Sequence, residues 1–228
     1  MSSLIDRISS DLQLKNEYIR SIVRRSNYYY KDYYISKRNG GQRKISQASP
    51  ELKTLQYWIK ANILALMPVS KGAFAYNKGN SIKRHAEFHK DSYFIFHTDI
   101  KNFFPSITSE HLISVLSDNH SLIEEAGLWF DDLFDVISSI CFRHNHLCIG
   151  TVSSPAICNI IMYFFDEYFT DYCSSRNWKY SRYADDIYIS SQEYLPCSLR
   201  SEVNEKLKEI GFSSNNNKTW FCSKKCRR

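Results

Sequence analysis

With 228 residues, 43% of them hydrophobic and 24% charged, the chain has room for one large globular domain or two small ones, and its composition excludes a disordered or fibrous protein. The formal charge of +6 is modest, so where the basic residues cluster matters more than their sum, and the aromatic content of 15% suits a surface that stacks on bases and holds phosphates. No apolar run is long enough to cross a membrane, MSSLIDRISSDLQL lacks the centre of a secretory signal, and seven cysteines without a Cys-x-x-Cys pair point to free thiols in the cytoplasm.

Residues 3–25 are expected to be helical, with Leu4, Ile8, Leu12, Ile19 and Ile22 or Val23 on one stripe. YYYKDYYIS (28–36) reads as a strand, Asn39-Gly40-Gly41 as a turn, and Gln42–Gln47 as the returning strand. A helix should start at Pro50 and run to about Leu66. Residues 70–90 read as loop with a short helix, and Ser92–Ile100 as a buried strand. Helices are expected over Thr108–Asp118, Ile123–Phe142 and Ser153–Cys173. Two short strands flank Asp185-Asp186, a helix from about Leu195 ends at Gly211, and a last strand runs through Trp220 and Phe221. The pattern is α+β: an antiparallel sheet covered by helices, with a subdomain boundary near residues 85–92.

In SRYADDIYIS (181–190), two carboxylates interrupt a strand-like run. On a regular strand neighbours face opposite ways, so one of them would enter the core, where an unpaired carboxylate is costly. A tight turn between two strands removes the conflict and lets both project toward one site. Asp99 ends an apolar strand in FIFHTDIKNFF. If that strand lies beside the hairpin, Asp99 and Asp185 converge, and crowded carboxylates call for a divalent cation. Hard oxygen ligands favour Mg2+ or Mn2+, and two such ions about 4 Å apart can activate a hydroxyl and stabilise a leaving phosphate. The plainer alternative is an exposed turn decorated with aspartates.

Tyr183-Ala184-Asp185-Asp186 resembles the YxDD signature of reverse transcriptases. Asp99-Ile100-Lys101-Asn102-Phe103-Phe104-Pro105-Ser106-Ile107 resembles their first catalytic segment, Ser153-Ser154-Pro155-Ala156-Ile157-Cys158-Asn159 their SSPxxxN segment, and Asn215-Asn216-Asn217-Lys218-Thr219 their NxxKT segment. Four segments in the right order are far more specific than any one. The resemblance is nearest to bacterial retron reverse transcriptases, whose fingers segment residues 43–56, RKISQASPELKTLQ, resemble. Two segments depart: Cys148-Ile149-Gly150 stands where Pro-Gln-Gly is usual, and His85-Ala86-Glu87-Phe88-His89 where the retron motif begins with Asn.

The resemblance implies a right-hand polymerase fold: an N-terminal helical segment (1–24), fingers (25–90) and a palm with the catalytic sheet (91–228). A thumb is expected to be missing from this chain, whose residues up to Arg228 lack the retron VTG motif. It also implies an RNA-directed DNA polymerase using deoxynucleoside triphosphates and two Mg2+ ions, with Mn2+ as substitute. Template and primer would be one structured non-coding RNA, primed from a 2′-hydroxyl. The product would be a small single-stranded satellite DNA (msDNA), and an effector protein would be the partner in anti-phage defence. The rival readings are another bacterial reverse transcriptase (group II intron, diversity-generating or abortive-infection type) and a non-catalytic RNA-binding scaffold.

Carried over residue by residue, Asp99, Asp185 and the Ile100 carbonyl become metal ligands, and Asp186 a less direct one that shapes the turn. Phe104 becomes the steric gate against ribose, or else a core ring. Lys218 becomes the acid that protonates pyrophosphate, or else a surface lysine. Arg43, ahead of Lys44, would clamp the triphosphate, unless both sit on an exposed basic hairpin. Gly150 and Ser153 would lie against nucleotide or template, unless they only open a helix. Arg20–Lys44 holds eight basic residues, one acid and five tyrosines. Arg24, Arg25, Tyr28, Tyr29 and Lys31 within it read as RNA contacts, or as a solvated basic face. His85 and His89, four apart, could share a helix face as a metal pair, but without an acid or cysteine nearby they read instead as structural hydrogen bonding or as the RNA contact that the retron resemblance implies.

Overall fold

The computed structural model describes residues 3–37 and 40–226; Asn39 of the expected turn and the final Arg227 and Arg228 lie outside them. The chain forms two compact units, one of Met1–Pro68 with Phe104–Ile161, the other of Val69–Phe103 with Met162–Arg228. The architecture is α+β with antiparallel sheets, as expected. The boundary expected near residues 85–92 falls inside the second unit.

The first unit opens with α1 (Leu4–Leu12) and α2 (Asn16–Arg24), where one helix was expected. The break is at Gln13, which turns into the left-handed region (φ +54°) and lets the Leu14 N–H reach back to the Ser9 carbonyl. α1 itself starts on a capping box, Ser3 and Asp6 each bonding the other's backbone N–H. Strands β1 (Tyr30–Ser36) and β2 (Gln42–Ala48) pair as the predicted hairpin. Ser49 caps α3 (Pro50–Asn62), whose proline needs no partner in the first turn; a short 3-10 turn over Leu64–Leu66 replaces its expected last turn.

α3 packs on α8 (Leu133–Cys141), as do α1 and α2. Leu4, Ile8, Ile19, Ile22, Leu52, Leu55, Ile59, Ile137 and Ile140 are all buried. Gln56, buried among them, donates to the Ile140 carbonyl (3.0 Å) and accepts from Val152 N–H (3.3 Å), so its amide is satisfied. Between β2 and α8 come α6 (Ser109–Asp118) and α7 (His120–Glu125). The helix expected over Ile123–Phe142 is cut by Gly127 (φ +68°), which ends α7. α9 (Ser154–Ile161) closes the unit; the helix expected over Ser153–Cys173 breaks at Met162 without a Gly or Pro signal.

In the second unit, α4 (Ile82–His89) precedes β3 (Phe94–Asp99), α5 (Phe103–Ser106) begins at its boundary, and α10 (Tyr163–Ser174) leads into β4 (Lys179–Tyr183) and β5 (Asp186–Ser191). α11 (Leu199–Glu209) and β6 (Trp220–Ser223) follow. The sheet order is β4-β5-β3-β6, antiparallel throughout. α10 and α4 pack on β4, with Phe169 stacked on Tyr180 (5.8 Å between centroids). Pairing of Phe96 with Ile189 and of Thr98 with Ile187 puts these buried residues on one face, so His97, Asp99, Asp186 and Tyr188 share the other. Among the described residues no helix is long and apolar enough to cross a membrane, and six cysteines are free.

Candidate active site

Tyr183 pairs with Asp186, so Ala184 and Asp185 form a two-residue loop between β4 and β5. Ala184 takes φ +57°, a left-handed conformation that costs a non-glycine residue roughly 1–2 kcal/mol. That turn breaks the strand alternation. Asp185 sits in the loop, while Asp186 is the first residue of β5, directly across from Asp99. The Ile100 N–H donates to the Asp185 carbonyl (2.8 Å), tying the loop to the end of β3. Burial first, then the charges of Asp186 and Asp99, push the Asp185 carboxyl above its ordinary value.

The NxxKT segment folds against the same strand end. Asn215 N–H donates to the Asp99 carbonyl (2.7 Å), and the Lys218 ammonium pairs with Asp99 Oδ1. That bond raises the Lys218 pKa and keeps the ammonium charged. Thr219 Oγ1 donates to the Asn215 carbonyl (2.9 Å) and shares a hydrogen bond with Thr98 (2.7 Å), fixing the segment to β3. Asp99, Ile100, Asp185, Asp186 and Lys218 are therefore brought together. Among the described residues, no three His, Cys, Asp or Glu side chains form a ready-made metal cage.

His97 was missed by the sequence reading. Its Nε2 shares a hydrogen bond with Asp186 Oδ1 (2.8 Å), its Nδ1 lies 3.0 Å from the Lys218 carbonyl oxygen, and the ring stacks on Trp220 (4.9 Å between centroids). It joins the Asp186 carboxylate to the Lys218 segment. The signal was available: His97 lies two residues before Asp99, on the same strand face.

In the first unit, Arg43 and Lys44 face opposite sides of β2. Lys44 is held by Asp32 (2.8 Å), which also binds Arg143 (2.5 Å) and Ser46 (2.7 Å). The Lys44 bond, then that of Ser46, lowers the Asp32 pKa to about 2. Arg43 makes no ion pair among the described residues, so its guanidinium is the freer of the two. Gly150 (φ +106°) lies beside β2: a Cβ there would stand 2.7 Å from Ile45 Cγ2, and Ile149 accepts from Ser46 N–H (2.9 Å). Its small size is needed first by the protein's own packing. Ser153 is fully buried, beside the buried Cys141 thiol.

Phe103 is buried against Phe212, and Phe104 beside it is half-buried. Arg24, Arg25, Tyr28 and Lys31 are exposed, and a cleft of about 630 Å³ is lined by Tyr28, Tyr29, Lys31 and the start of α3. His89 is buried; its nitrogens bond Ser190 (2.7 Å) and Ser181 (2.6 Å), the same serine that His85 bonds (2.6 Å). This is the structural hydrogen bonding anticipated for the pair.

The family described as reverse transcriptase (RNA-dependent DNA polymerase) matches residues 35–227. The chain belongs to that family. Within it the chain is similar to retron enzymes. The retron Ec73 reverse transcriptase of Escherichia coli is 34% identical over 97% of this chain and 72% of its own length. The Ec86 enzyme of the same organism is 33% identical over 84% of this chain, which spans 58% of it. Among solved structures, a truncated apo telomerase from Candida tropicalis shares the reverse transcriptase fold at a TM-score of 0.55 and 12% identity, over 87% of this chain and 50% of that one. Telomerase from Candida albicans, solved with a fragment of telomeric RNA, matches at a TM-score of 0.56 and 11% identity, over 87% of this chain and 43% of that one. Members of this family carry the fingers-and-palm architecture expected for the chain.

Proposed function

We propose that this reverse transcriptase copies a structured non-coding RNA into single-stranded satellite DNA from deoxynucleoside triphosphates, at a site centred on Asp99 and Asp185. The observation that carries the proposal is the meeting of Asp99, the Asp185 loop and Lys218 at one end of an antiparallel sheet. Kinship to retron enzymes supports the satellite-DNA product, and with it a 2′-hydroxyl primer and a defence role beside an effector protein.

The donor set fits Mg2+ or Mn2+. It consists of hard carboxylate oxygens, crowded enough that Asp185 resists ionisation. Mg2+ characteristically takes one or two carboxylates and completes its shell with water and substrate phosphate, so a closed cage of side chains is not needed. Asp99, Asp185 and the Ile100 carbonyl would hold the ions, with Asp186 as the outer carboxylate. When bound, two such ions would lower the pKa of the primer hydroxyl and neutralise charge on the leaving pyrophosphate.

The protein's own groups do the rest. His97 fixes Asp186. Lys218 guards Asp99 with its ammonium and, once freed from that carboxylate, can donate a proton to the leaving phosphate. On the family resemblance alone, Arg43 would meet a triphosphate and Phe104 would exclude a ribose 2′-hydroxyl; both belong to the first unit, Asp99 and Asp185 to the second.

The test is extension of a primed RNA template with Mg2+ and deoxynucleotides. Wild type extends, and Asp185→Asn is at least about 100-fold slower. In the same assay Lys218→Ala slows extension about 10–100-fold, and Phe104→Ala admits ribonucleotides. Equal rates for wild type and Asp185→Asn would remove the assignment. The Asp99–Lys218 ion pair is the observation that favours the rival, a non-catalytic scaffold; its signature is a wild type that binds RNA and extends nothing.

A further inference from the structure

Arg182 and Asp166 are a completely buried ion pair, both side chains at 0% exposure. The fork is two-pronged: Nε donates to Asp166 Oδ1 (2.9 Å) and Nη2 to Oδ2 (2.6 Å). The Tyr180 hydroxyl adds a third bond to Oδ1 (2.6 Å). The Arg182 backbone is fixed as well, its N–H to the Gly72 carbonyl and its carbonyl to Phe74 N–H, each at 2.8 Å. A buried ion pair is weak support for stability, since apolar residues of like volume commonly serve as well. What an apolar pair could not supply is the remaining prong: Nη1 donates to the Ala184 carbonyl at 2.9 Å.

That carbonyl belongs to the peptide linking Ala184 to Asp185. Ala184 is the residue held left-handed in the hairpin loop. The next peptide, Asp185 to Asp186, is held through its own carbonyl by Ile100 N–H (2.8 Å). Both peptides flanking Asp185 are therefore pinned, one by β3 and the other by a guanidinium whose orientation Asp166 fixes. We propose that Arg182, locked by Asp166 and Tyr180, is a positioning residue that sets the Asp185 carboxylate for divalent-ion binding. This rests on the polymerase reading of Asp185. Lysine could not replace arginine, because a single ammonium cannot grip both carboxylate oxygens and still reach the Ala184 carbonyl.

The experiment compares wild type, Arg182→Lys, Tyr180→Phe and Asp185→Asn in three measurements: thermal melting, Mn2+ affinity by electron paramagnetic resonance, and extension kinetics with kcat and nucleotide KM separated. Arg182→Lys should bind Mn2+ about 10–100-fold more weakly and lose a similar factor in kcat, with nucleotide KM within about twofold of wild type. Tyr180→Phe keeps the volume and removes one bond from Asp166. It should weaken Mn2+ binding by about two- to fivefold, and it decides the matter if Arg182→Lys does not fold. Variants that melt lower yet bind Mn2+ as wild type does would make the pair merely structural and overturn the proposal. So would a wild type whose Mn2+ binding is absent or unchanged by Asp185→Asn. A wild type that binds Mn2+ through Asp185 but extends no primer sinks the polymerase reading alone, and the Mn2+ affinities of the variants still decide the brace.

Discussion

Asp185 and Asp186 are neighbours in sequence with opposite circumstances. Asp186 has His97 as a donor, whereas Asp185 has burial and two nearby carboxylates against it, so its pKa is raised above the ordinary 3.8. A carboxyl with a raised folded-state pKa is one the fold prefers neutral. Its ionised form costs stability above that pKa, and the cost disappears as pH falls through it. Asp185→Asn should therefore melt higher than wild type at pH 7 in the absence of divalent ions, and the gap should close on acidification. Calorimetry of the two proteins between pH 7 and 4 checks it; equal melting temperatures throughout would show that the carboxylate is not under strain. The paired aspartates were legible in the sequence because a strand that breaks its own alternation demands a turn. Asp166 and Arg182 were not. Asp166 stands beside Glu167 and Arg182 in the charged run KYSRYADD, so neither stands out, and no spacing rule joins a helix residue to a strand residue across a fold.

At the level of elements, local chemistry made the β1–β2 hairpin, the Ser49-Pro50 helix start and the flanking strands of the aspartate loop readable. Helix continuity was harder. Apolar periodicity carried through Gln13 and Met162, where the chain bends without glycine or proline. Gly150 belongs to this scale, because it serves the seam between β2 and the segment before α9. Gly150→Ala would strain a backbone at φ +106° and drive a methyl to 2.7 Å from Ile45 Cγ2. The expected cost is about 1–3 kcal/mol, a fall of several degrees in melting temperature. Because the clash partner is one branched side chain, Ile45→Ala in the same chain should recover part of the loss, and a double-mutant cycle measures the coupling. Additive effects of the two changes would mean that the seam does not close as described.

For the whole molecule, the net charge of +6 is too small to attract RNA by itself, and what matters is its placement. Arg24, Arg25 and Lys31 lie exposed beside Tyr28, which is 88% exposed, and the tyrosine-lined cleft opens among them. A phosphate contact releases condensed counterions, so each one adds about −0.7 to −0.9 to the slope of log affinity against log salt. A stacked base adds about 1–3 kcal/mol that salt hardly changes. The two kinds of residue should therefore separate in one titration. Across about 50–300 mM KCl, wild type should lose affinity for RNA steeply. Arg24→Ala with Arg25→Ala should flatten the slope by about 1.5. Tyr28→Ala should lower affinity about 5–100-fold at every salt concentration and leave the slope alone. Filter binding with a structured RNA and with a single strand of the same length measures both quantities. A wild-type slope near zero would mean that the basic stretch is a solvated face and that RNA is held elsewhere on the chain.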